Sequence, residues 1–103
     1  MLLTTTEQVM GREYDILGLV KGATIQSENI GRDFGAGLKS IVGGELTGYT
    51  EMMEEARDIA TQRMEEEAKR LGADGIVGIR FSTSAIMQGA AEVMAYGTAV
   101  KFK

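Results

Sequence analysis

The feature that most constrains this chain is a long apolar stripe of helical spacing that ends at a glycine and leads directly into an apolar run. Between about residues 49 and 71, apolar side chains recur in steps of three and four, the period of one buried helical face. Gly72 predicts the helix end, since glycine readily adopts the left-handed backbone found there, and residues 76–79 predict a strand. The stripe consists of Tyr49, Met52, Met53, Ala56, Ile59, Ala60, Met64, Ala68 and Leu71.

Charges along this helix agree with its direction. Lys69 and Arg70 lie in the last turn, where the negative end of the helix dipole favours them. Glu65 precedes Lys69 by four residues, an order that stabilises a helix by roughly 0.2–0.5 kcal/mol. The acidic run at 65–67 is interpreted as a solvated face, because consecutive helical residues point about 100° apart and do not converge on one ion.

Four strands are predicted around the helix. Residues 2–5 favour a short edge strand, 14–26 a longer one, and 75–86 with 91–102 a hairpin that turns at Gly89. Gly18 and Gly22 lie four residues apart and therefore share a face of their strand. Glycine weakens a strand, so these positions indicate either a tight contact or a local bulge.

The last predicted strand is apolar on both faces. One face is made of small residues that a helix can approach closely, Val93, Ala95, Gly97 and Ala99. The other carries Met94, Tyr96, Val100 and Phe102, although antiparallel sheets usually show polar residues on their second face. On the preceding strand, Val77, Ile79 and Phe81 are expected to share a face. A homo-oligomer is one way to cover the second apolar face, and folding the first strand and a glycine-rich helix over it is the other.

That glycine-rich helix is predicted between residues 27 and 48. Ile30, Phe34, Leu38, Ile41 and Val42 recur at helical spacing, and Gly43-Gly44 would end the helix. Its glycines suggest close packing, since each costs up to about 1 kcal/mol of helix stability relative to alanine. Nucleotide-binding templates fail at residues 35–40, because a leucine separates the glycine from the lysine of a P-loop and the segment does not follow a strand.

Composition narrows the class of protein. A length of 103 residues predicts one domain, 1–103, and a net charge of −4 without a basic cluster argues against nucleic acid as a partner. Cysteine and histidine are both absent, which removes the usual ligands of zinc and copper and the usual base near neutral pH. No run approaches the ~20 apolar residues of a membrane span, so we expect a cytoplasmic protein.

The start of the long helix is the candidate binding cleft. Free backbone N–H groups there attract anions, and adjacent glycines allow a ligand to approach closely. The residues of this cleft are Gly43, Gly44, Glu45, Tyr49, Glu51 and Arg57. In the plainer alternative, the glycines only turn the chain, Glu45 is solvated, and Arg57 pairs with Glu54 or a neighbouring subunit.

The predicted function is a non-enzymatic binding module, a ring whose subunit clefts bind a small molecule, an ion or a protein partner, and there are two alternative functions. A small enzyme would use Glu45, Tyr49 and Arg57 as acid, hydroxyl and anion clamp, which requires that they converge. A hard cation would bind through the carboxylates of Glu45, Glu51 or Asp74, with copies of one carboxylate brought together around a ring axis. No catalytic residue is assigned, and the seven methionines are interpreted mainly as packing residues.

Several runs together resemble one family of small bacterial and archaeal proteins. They are 43–45, 49–51, Ala56-Arg57, 72–80 (Gly-Ala-Asp-Gly-Ile-Val-Gly-Ile-Arg) and 95–100 (Ala-Tyr-Gly-Thr-Ala-Val). In this combination the whole chain resembles the YbjQ family. The resemblance implies an α+β fold in which a β-α-β-β unit with an antiparallel sheet, laid out like the dodecin subunit, assembles into a pentameric ring. It also brings a heavy-metal-binding label without a ligand set, so the cofactor stays unknown.

Overall fold

The fold is a sheet with one long helix packed on it. The structure, a computed structural model, describes residues 1–27, 41–42 and 45–103. In chain order the elements are β1 (Leu2–Leu3), β2 (Tyr14–Ser27), β3 (Ile41–Val42), β4 (Glu45–Leu46), α1 (Thr47–Arg70), β5 (Gly75–Met87) and β6 (Ala90–Phe102). The α+β class predicted from the sequence is therefore confirmed.

The main sheet has four strands in the order β1-β5-β6-β2, and β3 and β4 form a separate antiparallel pair. The family resemblance implied an antiparallel sheet, and this is wrong at one edge. β1 runs parallel to β5, with Leu2 opposite Gly75 and Leu3 opposite Ile76. A parallel pair requires a long crossover, and here β2 and α1 lie in the chain between its two strands.

The helix α1 buries its alanine-rich stripe on one face of the sheet, which we call the helix face. Ala56, Ala60, Met64 and Ala68 are fully buried there, together with Ala95 of β6. The helix packs chiefly against β2, then β6, and only slightly against β5. The small residues of β6 allow this close approach, as the sequence predicted.

Gly22 is the closest contact between helix and sheet. A Cβ atom at this position would collide with the backbone nitrogen of Met64 and the carbonyl oxygen of Ala60. Gly18 is different, because nothing lies within 4 Å of its Cβ position and its φ is +132° at a register shift. Each glycine thus fits one of the two interpretations. Gly22 is a tight contact, and Gly18 lies at a bulge.

A bulge at Gly78 corrects the predicted face of β5. The pairing with β6 shifts between Val77 and Arg80, and Gly78 has a φ of +63°. Ile79 therefore returns to the helix face and joins the buried core, while Val77 lies on the opposite face. The prediction that Val77 and Ile79 share a face is wrong because it assumed an unbroken two-residue period.

The ends of the elements agree closely with the sequence. The helix begins at Thr47, two residues before the predicted start, and ends at Arg70. Gly72 has a φ of +80° after it, and Gly89 has a φ of +77° in the β5–β6 turn. Both positions therefore require the left-handed backbone expected of them.

The predicted glycine-rich helix falls largely outside the described residues. Its start at Ser27 is the last residue of β2. Its end is corrected, because Ile41 and Val42 form β3 and pair with Leu46 and Glu45 of β4. This pairing draws both segments into extended backbone instead of a helix.

Candidate functional site

The predicted cleft at the helix start is only partly described. Gly43 and Gly44 lie outside the described residues. Glu45 belongs to β4, which runs directly into α1 at Thr47. Glu45 is thus two residues before the helix, as the cleft requires, and its position in a strand pair is a feature that the sequence did not predict.

The helical members of the cleft do not converge. Tyr49, Glu51 and Arg57 are all exposed on α1. Two helical residues two apart point about 200° away from each other, so Tyr49 and Glu51 lie on opposite sides. Arg57 lies about 12 Å further along the axis than Tyr49. The helix therefore does not gather these three groups into one cleft.

Of the plain alternative for Arg57, the ion pair with Glu54 is not seen in the described part of the chain. The Arg57 backbone carbonyl accepts a hydrogen bond from the Thr61 hydroxyl at 2.8 Å. The predicted pair of Glu65 with Lys69 is confirmed at 4.0 Å. Both ends of that pair reach solvent, so its contribution is small.

Asp74 holds the ends of three elements together. Its carboxylate accepts a 2.8 Å hydrogen bond from the Phe102 N–H and lies 3.5 Å from Lys101 Nζ. Its backbone carbonyl accepts from the Leu2 N–H, and its own N–H donates to Val100. The hydrogen bond from Phe102, followed by the charge of Lys101, lowers the pKa of Asp74 below its ordinary value. Asp74 therefore has structural partners, which was not foreseen when it was considered as a cation ligand.

A heavy-metal site does not fit the residues present. The sequence contains neither cysteine nor histidine. Across residues 1–27 and 45–103, no group of three or more acidic side chains is placed to hold a metal ion. Met64, a soft donor on the helix, is fully buried in the core. The donor set is thus unsuited to soft metals within a single copy.

The face of the sheet opposite the helix exposes several large apolar side chains. We call it the open face, and it includes three apolar residues of β2 and one aromatic residue of β6. Ile16 is 71% exposed, Leu19 65% and Ile25 60%, while Tyr96 is 37% exposed. The register places Leu19 opposite Thr98 and Lys21 opposite Tyr96 on this face. Clustered exposed apolar residues of this kind mark an interaction surface.

Only one end of the open face is covered by the described chain. The segment between β1 and β2 must cross the sheet, because these strands lie at opposite edges. The Tyr14 hydroxyl donates to the Glu7 carbonyl, and the Arg12 guanidinium stacks 4.1 Å above the Phe102 ring. Val100 beside them is fully buried. Beyond this end, Leu19 and Ile25 are left open.

The apolar second face was predicted from β6, and the contribution of β2 was not predicted. The signal was present, because Leu19 and Ile25 are separated by an even number of residues and therefore share a face. As for membranes, none of the described helices combines the length and apolar character needed for a span.

Comparison with known proteins gives a consistent result. The family model YbjQ, described as "Putative heavy-metal-binding", matches residues 1–103. The chain is 63% identical to a UPF0145 protein of Clostridium novyi over 98% of both chains. It is 56% identical to a UPF0145 protein of Thermotoga maritima over 100% of this chain and 98% of the relative.

A solved structure has the same fold. A protein of unknown function from the DUF74 family of Pediococcus pentosaceus superposes with a TM-score of 0.73, covering 100% of this chain and 98% of that one. Sequence identity between them is 21%, so this likeness concerns the fold alone. The full-length family match and the high identity of the relatives lead to one conclusion: this chain belongs to the YbjQ family, whose curated members are named UPF0145 proteins.

Proposed function

We propose that the protein is a non-enzymatic binding module that works as a homo-oligomeric ring. The observation that supports it best is the open face, where Ile16, Leu19 and Ile25 are each more than half exposed in one copy. Burying these side chains against other copies would gain roughly 25 cal/mol per Å² of apolar surface removed from water. A pentamer is the ring size that the family resemblance implies.

A ring also suits the sheet edges. Exposed strand edges pair with other chains, and closed assemblies protect them. Cyclic assemblies larger than a dimer use two different patches on each copy, and this sheet has two different edges. The boundaries between copies would then provide the clefts in which a small molecule, an ion or a partner protein binds. The cytoplasm is the proposed location.

The enzyme alternative has less support. Tyr49 and Arg57 lie at different positions along the axis of α1. Acid–base catalysis requires that its groups lie within hydrogen-bond reach of one substrate, so these two residues of one copy do not meet that requirement. A binding role requires no such convergence within one copy, because neighbouring copies contribute residues to a shared cleft.

In this proposal an ion binds only to the assembled ring and not to a single copy. Carboxylates such as Glu51 would have to come together from several copies, and oxygen donors of this kind prefer calcium or magnesium. Titration calorimetry of the assembled protein with calcium, magnesium, zinc and copper separates the cases. Saturable heat with a hard cation supports a carboxylate ring, and no heat with any of the four removes ions from the proposal.

The assembly itself is tested by light scattering and native mass spectrometry of the purified protein over a dilution series. We expect a single closed species, and native spectra also reveal any co-purified ligand. Ile25→Glu on the open face should weaken association by at least about tenfold, because it would bury a charge between copies. The matched control is Gln62→Glu on the exposed side of α1, which should leave the size unchanged. A folded monomer at all concentrations of the wild type contradicts the proposal.

A further inference from the structure

Among residues 1–27, 41–42 and 45–103, no strand pairs with the outer edge of β5 over its distal half, which we define as residues 80–87. The Ile79 N–H donates to the Thr4 carbonyl on this side of the strand. Because alternate residues of a strand direct their backbone groups to the same side, Phe81, Thr83 and Ala85 present theirs to the same edge. Within the described residues, β1 pairs with β5 only up to Ile76. Every residue of the distal half is exposed.

The opposite edge of the sheet, formed by β2, lies beneath an overhanging helix. The helix packs mainly on β2, which is the edge strand. A helix is about 10 Å across, and strands are about 4.8 Å apart, so α1 extends roughly one strand spacing beyond this edge. Arg63 shows which side of the helix overhangs, since its Nη1 donates to the Ala23 carbonyl at 2.8 Å.

The overhanging side of α1 is partly apolar. Ile59 lies four residues before Arg63, and Met52 lies seven before Ile59, so the three lie along one side of the helix. Met52 and Ile59 are both only half-buried and lie outside the fully buried core. A strand placed beside β2 would therefore lie under apolar side chains that are now partly open to solvent.

We propose that the distal half of β5 from a second copy adds to the outer edge of β2 as an extra strand, beneath the Met52–Ile59 side of α1. This inference rests on the proposed ring and specifies how its copies join. Backbone hydrogen bonds would join the two edges, and side chains would fix which strand enters.

Phe81 is the side chain that suits this position. It pairs with Ala95 and therefore lies on the helix face, yet it is 48% exposed because α1 hardly reaches β5 in its own copy. In the neighbouring copy the same ring would lie under Met52 and Ile59, where a thioether packs well against an aromatic ring. One contact would thus cover Phe81, the overhanging side of α1 and both strand edges, and the incoming strand would replace Arg63 as the donor to the Ala23 carbonyl.

Cross-linking tests the proposal directly, because the chain contains no cysteine of its own. Ser82→Cys on the open face of β5 is co-expressed with one of three β2 variants on the same face, Lys21→Cys, Ala23→Cys or Ile25→Cys. Three positions are used because the register between copies is not specified. A disulfide forms only where Cα atoms lie within about 7 Å. The control partner is Gln62→Cys, on the exposed side of α1.

We expect one β2 variant to give at least about tenfold more mixed disulfide with Ser82→Cys than the Gln62→Cys control gives. Disulfides between two Ser82→Cys chains would instead indicate that β5 pairs with β5, which overturns the proposal. A ring of normal size without a mixed disulfide at any of the three positions also overturns it and leaves the ring standing. A monomeric wild type removes the ring and this inference together.

Discussion

The two faces of the sheet carry similar apolar side chains and have different surroundings. On the helix face, Val20 and Ala95 are fully buried by α1. On the open face, Leu19, the direct neighbour of Val20, is 65% exposed. Successive residues of β2 thus differ only in which side of the strand they occupy.

This difference shows how a short chain distributes its covering elements. One described helix shields one face, and the N-terminal segment shields one end of the other. The remaining apolar surface on the open face has no covering element among the described residues, so its residues are explained better by association than by the folding of one copy.

The largest expected effect comes from breaking the helix face at Gly22. Gly22→Ala should lower the free energy of unfolding by about 3 kcal/mol or more, because its methyl group would collide with the backbone of α1 at Met64 and Ala60. Chemical denaturation measures the loss. Gln62→Ala, on the exposed side of α1, should change stability by no more than about 0.5 kcal/mol. Equal effects of the two variants would contradict the packing described for α1.

Two large side chains on the helix face, Met64 and Phe81, are expected to respond differently to truncation. Met64→Ala should cost about 2–5 kcal/mol of unfolding free energy, because Met64 is fully buried. Phe81→Ala should instead weaken association by at least about tenfold, since the ring is half-exposed in one copy and is covered only in the proposed assembly. Denaturation of dilute protein and light scattering separate the two. If Phe81→Ala associates as tightly as the wild type, the Phe81 side chain does not lie in the interface.

A smaller effect is expected at the end of the sheet, where Asp74 links β6 to the helix exit. Its lowered pKa means that the carboxylate stabilises the fold above the unfolded-state value of 3.8, and that this contribution is lost as pH falls through the lower folded-state pKa. Asp74→Asn should therefore be less stable than wild type at neutral pH.

Thermal melts from pH 7 to pH 2 check this sign. The difference in midpoint between wild type and Asp74→Asn should shrink as pH falls below 3.8. Asp15→Asn is the matched control, because Asp15 forms an exposed pair with Lys103 and no other side-chain pair among the described residues. A difference that stayed constant down to the lowest pH would indicate that the charge of Asp74 is not what stabilises the fold.

The smallest effect is expected on the solvated side of α1. Lys69→Ala removes the 4.0 Å pair with Glu65 and should cost about 0.2–0.5 kcal/mol. Denaturation in low and high salt measures it, and the loss should fall as salt screens the pair. A cost above about 1 kcal/mol would mean that Lys69 has a further partner.

The sequence predicted the regular elements well because their signals are local. The stripe that includes Ala56 and Ala60 repeats with the helical period, and Gly72 marks the end of α1. The parallel pairing of β1 depends on contacts distant in the chain, which no local pattern encodes. The strand at Ile41 pairs with residues nearby in the chain, and it was missed because the apolar spacing of this segment also fits a helix.

The candidate site was predicted less well for a related reason. Helical spacing indicates that Tyr49 and Glu51 belong to one helix, and the same spacing places them on opposite sides of it. The apolar second face was recognised on β6 because residues such as Met94 and Tyr96 alternate regularly. On β2 the register shift lies between Ile16 and Gly18, so Ile16 shares the open face with Leu19 although an odd number of positions separates them, which no two-residue period predicts.

The extra residue in β5 determines on which face of the sheet each later residue of the strand lies. With the insertion at Gly78, Phe81 points to the side of the helix and Arg80 to the other side, where its guanidinium reaches the Thr5 carbonyl. Deleting this one residue would exchange the two sides along the rest of the strand and leave the aromatic ring on the wrong surface for a neighbour. A single backbone irregularity therefore determines which chemistry each side of the hairpin offers to another molecule.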